Sequence, residues 1–332
     1  MWSVTLTDSF QILVAITGLI ILTSATLSDP LLGDGNPFVG VSILFEKLSN
    51  DHPDHLRLWP DYATAGSTSA YITAVLSVLA SWATGLFGNI PGQDLQQRVF
   101  AAKNANTASH ACILAGVLYL VFGCLPLILG FASLVTHPGG DLDPVAFLAI
   151  TYLSPAMLVV FVLAVVSMIV STATSAVLAP ATILGHNLLA RIPFFRKEKP
   201  LFRDRLSVVL VSVGGISVAM LGESLMGLLD IALSIQLSAL FVPVICGIYG
   251  RPKNQACCVL AMLFGFTAWS GTYTNEVFSP AYPQFLLNMQ CIPSDFYGVT
   301  ASIFGFGLGL RIFPSMPPKR FRTALPDETV SI

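Results

Sequence analysis

Apolar residues come in long runs along this chain, separated by short stretches rich in glycine, proline and polar side chains. About 20 consecutive apolar residues suffice for one helix to cross the hydrocarbon core of a bilayer. The runs fall at 7–28, 66–90, 107–136, 155–190, 205–221, 227–249, 255–273 and 295–313. They predict eight spanning helices, and so an all-α polytopic membrane protein over residues 1–313. The stretch 29–65 reads as a long polar loop. The tail after Phe313, PSMPPKRFRTALPDETVSI, is proline-rich and charged, and the expectation over 314–332 is a disordered cytoplasmic segment.

Composition agrees with that pattern. Of 332 residues 54% are hydrophobic and 10% charged, where soluble domains carry about 25% charged residues. The net charge of −2 leaves no basic footprint for nucleic acid. The start, MWSVTLTD, lacks the basic region of a cleavable signal. The six cysteines form no CxxC pair, and five lie in apolar runs, so they read as small buried residues. No pairing of nucleophile and base suggests an enzyme.

Charge then orients the spans. With the N-terminus in the cytoplasm and the spans alternating, fourteen of the sixteen basic residues face inward, and only Lys47 and Arg57 fall outside. An inward excess of Lys and Arg is the expected topology signal, and it puts both termini in the cytoplasm of a multi-pass protein, with the plasma membrane as the expected location. The outer loop 29–65 contains DHPDHLRLWPDY. Its Asp51, His52, Asp54 and His55 allow a metal site or an ordinary solvated loop.

Three features inside or beside the spans carry possible chemistry. SMIVSTATSAVLAPATILGHN (167–187) holds five hydroxyls within nine residues, and Ser167, Ser171, Thr174 and Ser175 share one helical face. Such hydroxyls can bond back to their own helix and allow close packing, or they can offer hard oxygen ligands to a monovalent cation such as sodium. The second run ends in GLFGNIPGQ, where Gly85, Gly88, Pro91 and Gly92 predict either a break at membrane depth or a helix end at the surface. Asp8 with Gln11 reads as a capping box at a helix start, or as a carboxylate within reach of a cation path.

The segments TDSFQ (7–11), GNIPGQDLQQRVFAAK (88–103) and YLSPAMLVVFVLAVVSMIVSTATSAVLAPATILGHN (152–187) together resemble the sodium:solute symporter family. Within it the look is nearest the high-affinity choline transporter-like branch. Gly92 stands where that branch usually has Trp, and Thr174 where it often has an acid. The resemblance covers roughly residues 3–313. It implies a LeuT-like fold of two inverted five-helix repeats. On that assignment the first run is the last helix of the first repeat, the next five form the second repeat, and the last two are peripheral. The helices that open such a fold would precede Met1, so the chain as given reads as N-terminally truncated.

The same resemblance implies sodium-coupled symport of a small organic solute by alternating access, with Na+ as coupling ion. Sodium would be held by Ser171 and Thr172 with the backbone carbonyl of Met168. A second sodium would involve Asp8, Thr174 and Ser175. The solute would lie against the break, near Phe87, Asn89 and Gln93. The alternatives are a truncated, non-transporting membrane protein and a symporter-like sensor domain; a sensor would need a signalling domain after the last span.

Overall fold

The structure, a computed structural model, describes residues 2–137, 143–196, 199–221, 224–250, 254–277 and 292–313. The expected disordered tail 314–332 lies outside the described residues. All regular elements among them are helical. The longer ones are α1 (Trp2–Leu27), α2 (Pro37–Asp51), α3 (Thr68–Phe87), α4 (Gln93–Phe100), α5 (Ala105–Thr136) and α6 (Pro144–Tyr152), followed by α7 (Pro155–Ile183), α8 (Pro200–Leu221), α9 (Leu225–Ile235), α10 (Val242–Gly250), α11 (Gln255–Val277) and α12 (Ser294–Ile312). Each of the eight apolar runs coincides with a helix. Six stretches are long and apolar enough to cross a membrane: Leu6–Leu27, Thr68–Phe87, Ala105–Thr136, Pro155–Arg191, Leu225–Gly250 and Gln255–Thr274. The chain is a polytopic membrane protein. Of the other two, α8 opens with Arg203, Asp204 and Arg205, and α12 begins with Ser294 and Asp295.

Helix starts are set locally. Asn36, Asp143 and Ser154 each accept a backbone N–H of the first turn, and each is followed by a proline at the first helical position. The capping oxygen satisfies an orphan donor, and proline has no N–H to lose there. Ser67, Asn104 and Ser224 cap α3, α5 and α9 in the same way without proline.

The chain divides into two compact units. The first holds Met1–Leu58 and Gln97–Val218. Its core gathers Leu22 and Leu27 of α1, Leu44 and Leu48 of α2, Leu129 of α5, Leu148 of α6 and Phe161 of α7. α1 packs along α7, with Gly18 against the Phe161 ring. α2 crosses the end of α1 so closely that a Cβ at Gly40 would overlap the carbonyl oxygen of Leu27. Beyond Pro180, α7 continues through a π-helical segment, Leu184–Leu188, whose Gly185 lies against Asp204 and Ser207 at the start of α8.

The second unit holds Trp59–Gln96 and Ala219–Ile332. Here α12 lays Gly298, Ser302, Gly305 and Gly309 along one face. A Cβ at Gly305 would come 2.7 Å from the carbonyl oxygen of Leu260, and one at Gly309 2.6 Å from the Cα of Cys257. Small residues at this spacing let two membrane helices approach backbone to backbone. A π-helical segment, Gln236–Phe241, joins α9 to α10 and packs against both α11 and α12.

Candidate functional site

The helix is interrupted at GLFGNIPGQ, as either reading of that stretch expects. α3 stops at Phe87, the chain turns through Gly88–Gly92, and α4 resumes for two turns from Gln93. The Gln96 side chain donates to the Ile90 carbonyl at 2.8 Å, answering an acceptor that the break leaves outside any helix. Gly88 is buried against the Leu233 carbonyl, where a Cβ would sit 2.7 Å away. Of the expected solute residues, Phe87 packs on Phe241 with ring centroids 5.4 Å apart. Asn89 and Gln93 are exposed. At Gly92 a Cβ would meet the Asn89 carbonyl and the Asp94 carboxylate, both at 2.9 Å, so the turn closes over a position with no room for a side chain.

In the first unit the hydroxyl face of α7 meets a carboxylate. Ser171 donates to Asp8 of α1. Arg98, from the second half of α4, donates to Ser175 at 2.9 Å and lies 3.4 Å from the other oxygen of Asp8. One turn beyond Asp8 along α1, the Gln11 side-chain oxygen is buried and has no hydrogen-bond partner among the described residues. Three helices thus converge on one carboxylate, two hydroxyls and one guanidinium, with the Gln11 oxygen one turn further along α1. Carboxylate, hydroxyl and amide oxygens are the donor set that a hard monovalent cation accepts.

This geometry corrects the reading of Asp8 as a helix cap. α1 begins at Trp2, so Asp8 lies in its second turn, where no orphan N–H is offered. The carboxylate is engaged by Ser171 and Arg98 instead. The expected sodium residues fall into two groups. Asp8, Ser171 and Ser175 are joined by hydrogen bonds through Arg98. Thr174 bonds back to the Val170 carbonyl at 2.7 Å, Thr172 is exposed, and Met168 is half-buried. Asp8 therefore contacts a hydroxyl of the first expected ion group as well as sharing Arg98 with Ser175 of the second.

Sequence reasoning placed Arg98 in a segment that carries the family resemblance and among the inward basic charges, but gave it no part in the site. Its place in QQRVF, two turns after the break, was the available signal. It also passed over Asp230, the one charge in LMGLLDIALSIQ, and Asp295 at the start of α12. The stretch 29–65, expected to be a loop, contains α2 and a short helical turn at Pro53–Leu56; there the His52 and His55 rings lie 5.8 Å apart, and Asp54 pairs with Arg57 at 3.7 Å. Among the described residues no group of three His, Cys, Asp or Glu side chains is placed to hold a metal.

A family model described as the sodium:solute symporter family matches residues 1–265. High-affinity choline transporter 1 of Caenorhabditis elegans is 25% identical over 190 residues, which cover 51% of this chain and 33% of that protein. The aligned part therefore spans about a third of the length of this relative.

Proposed function

We propose that this chain, which belongs to the sodium:solute symporter family, contributes the second repeat and the ion-binding helices of a sodium-coupled symporter for a small organic solute. The observation that carries the reading is the meeting of Asp8, Ser171, Ser175 and Arg98 in the first unit. Carboxylates and hydroxyls inside apolar helix pairs are costly unless they pair with one another or serve an ion path. Na+ and the Arg98 guanidinium compete here for the same carboxylate. When sodium arrives, Ser171 and Asp8 turn their oxygens to it, with the free Gln11 oxygen as a further ligand, and Arg98 gives up its contacts. Thr172 and the Met168 carbonyl lie on the same stretch of α7 and complete the expected ligand set.

Coupling follows from the placement of Arg98 on α4. Gln93 opens that helix and Arg98 lies near its end, so one short element carries an expected solute contact and the competing cation. A solute that holds the start of α4 and a sodium ion that releases its end bias the same element. By linkage each then raises affinity for the other by an equal factor. Alternating access is the mode of transport this reading assigns, with the termini in the cytoplasm and the plasma membrane as the site of action.

The test is uptake into proteoliposomes with sodium replaced by N-methyl-D-glucamine, using choline first because it is the solute in the relative's name. Loss of uptake without sodium is the expected result. Undiminished uptake overturns coupling.

A further inference from the structure

The connection from α7 to α8 reads LARIPFFRKEKPLFRDR, residues 189–205. Six of these residues are basic and two acidic, a local excess of four positive charges in a chain whose net charge is −2. An excess of Lys and Arg by itself marks only a cytoplasmic connection. This one differs in three respects. Its charges are unpaired, to begin with. The Asp204 carboxylate turns back onto the π-helical end of α7, 3.5 Å from His186 Nε2 and against Gly185, whose Cβ would come 3.0 Å from it. Arg191, Lys199 and Arg205 are exposed. Together with Arg203 they form no ion pair or side-chain hydrogen bond among the described residues. The Nε of Arg203 is buried and has no partner there either, although buried N–H groups normally find an acceptor.

The charges also alternate with exposed apolar side chains. Phe194 is 76% exposed, Leu201 61% and Phe202 50%. Phe194 stands edge-on to Phe195, ring centroids 4.9 Å apart, within a single helical turn, Pro193–Arg196. Rings and aliphatic chains set among Lys and Arg suit a bilayer interface, where the apolar parts enter the acyl boundary and the charges meet the headgroups. Depth is the third respect. The apolar part of α8 beyond Arg205, residues 206–221, has 16 residues. At the helical rise it reaches about 24 Å, less than the roughly 30 Å of hydrocarbon that a span must cross. So short a span keeps Arg203 and Arg205 at the level of the headgroups, and the His186–Asp204 contact holds the end of α7 at that same level.

We propose that the α7–α8 connection binds anionic phospholipid headgroups of the cytoplasmic leaflet. Arg191, Lys199, Arg203 and Arg205 meet the headgroup oxygens, and Phe194, Leu201 and Phe202 enter among the neighbouring acyl chains. A guanidinium grips a phosphate through two parallel N–H bonds. Each basic side chain near an anionic surface adds about a factor of five to binding. The apolar side chains favour a lipid over a free phosphate. The proposal goes beyond the transport reading and does not depend on sodium coupling; it uses the orientation in which this connection faces the cytoplasm.

The experiment titrates the full chain, in a nonionic detergent, with dioctanoyl phosphatidylserine and with dioctanoyl phosphatidylcholine, read by microscale thermophoresis. No transport is measured, so failure of sodium coupling and failure of this surface are read separately. Phosphatidylserine is expected to bind about tenfold or more tightly than phosphatidylcholine, by a margin that shrinks as salt is raised. The triple variant Arg191→Gln, Lys199→Gln, Arg205→Gln alters only exposed side chains without partners among the described residues, so the fold is kept. It is expected to bring the two lipids within about threefold of one another. Phe194→Ser with Phe202→Ser should weaken both lipids by about fivefold or more. Glycerophosphoserine, the headgroup without chains, should bind about tenfold or more weakly than the intact lipid. Equal binding of the two lipids by the parent, or a preference undiminished in the triple variant, would overturn the proposal. Glycerophosphoserine binding as tightly as phosphatidylserine would overturn it too, by showing a site for a soluble phosphate instead.

Discussion

Ser171 on α7 donates its hydroxyl to the carboxylate of Asp8 on α1, joining positions 163 residues apart in the chain. The alternative for a helical serine is a bond to its own backbone four residues back. Thr174, three positions on, takes that alternative. The difference separates the hydroxyls of this face: one is bonded within its own helix, and another is committed across a helix pair. Asp8→Asn removes the charge that draws a cation, and Ser171→Ala removes one oxygen. The sodium concentration for half-maximal uptake should rise about tenfold or more in the first variant and about threefold to tenfold in the second. A sodium titration of transport checks both, and an unchanged requirement removes these residues from the ion path.

Arg98 should behave oppositely. Arg98→Gln keeps a hydrogen-bond donor for Ser175 and deletes the competing charge at Asp8. Less sodium, by about threefold to tenfold, should then suffice for half-maximal uptake. The Arg98 side chain is 57% exposed, so loss of the ion pair should change thermal stability by less than about 1 kcal/mol. A variant that needs more sodium, or melts far below the parent, would show that Arg98 props the site rather than guards it.

Gly40 tests the crossing of α1 and α2. Any Cβ there meets the Leu27 carbonyl, and backbone cannot rotate away as a side-chain tip can. Gly40→Ala should destabilise the first unit by about 1–3 kcal/mol, read as a lower midpoint in thermal unfolding of the detergent-solubilised protein. Gly116 of α5 has open space around it and serves as the matched control, since its alanine variant should lose nothing.

Alkaline stability has one identifiable contributor outside the spans. Burial raises the Tyr152 hydroxyl above its usual 10.0, and the charge of Asp29 and a hydrogen bond to it raise it further, against a smaller opposing bond with Thr136. In the unfolded chain this tyrosine ionises first, so the folded state binds more protons above pH 10 and its stability falls there as pH rises. Tyr152→Phe should flatten the stability profile above pH 10 and leave its slope at neutral pH unchanged. Chemical unfolding at stepped pH measures both.

Much of the fold was legible because lipid imposes a single requirement, that long apolar runs become helices. The break after Phe87 was legible as well, since Pro91 and its neighbouring glycines advertise it. Ser171 and Ser175 could be read because hydroxyls on one face of an apolar helix are conspicuous. The partners of Arg98 could not, because they lie on α1 and α7, far from it along the chain. Asp8 misled: followed by Gln11 it has the form of a cap, but nothing local to it shows that the helix already starts at Trp2. The network around Asp295 was hidden for the same reason: Thr84, Ser234, Trp269 and Asp295 come from α3, α9, α11 and α12, and no spacing along the chain links them.

The proline that opens α7 has a consequence for depth in the bilayer. A helix headed by Ser154–Pro155 cannot grow backward by a turn, because the residue before proline is pushed out of the helical region. Its upper edge is therefore a fixed mark. Ser171 lies about 24 Å below that mark at the helical rise, and Ser175 one turn deeper. A membrane that thickens or thins cannot slide these hydroxyls along the helix by recruiting or shedding residues at its N-terminal end. The whole helix must tilt instead, so the distance along α7 from Pro155 to Ser171 stays the same from one lipid composition to another.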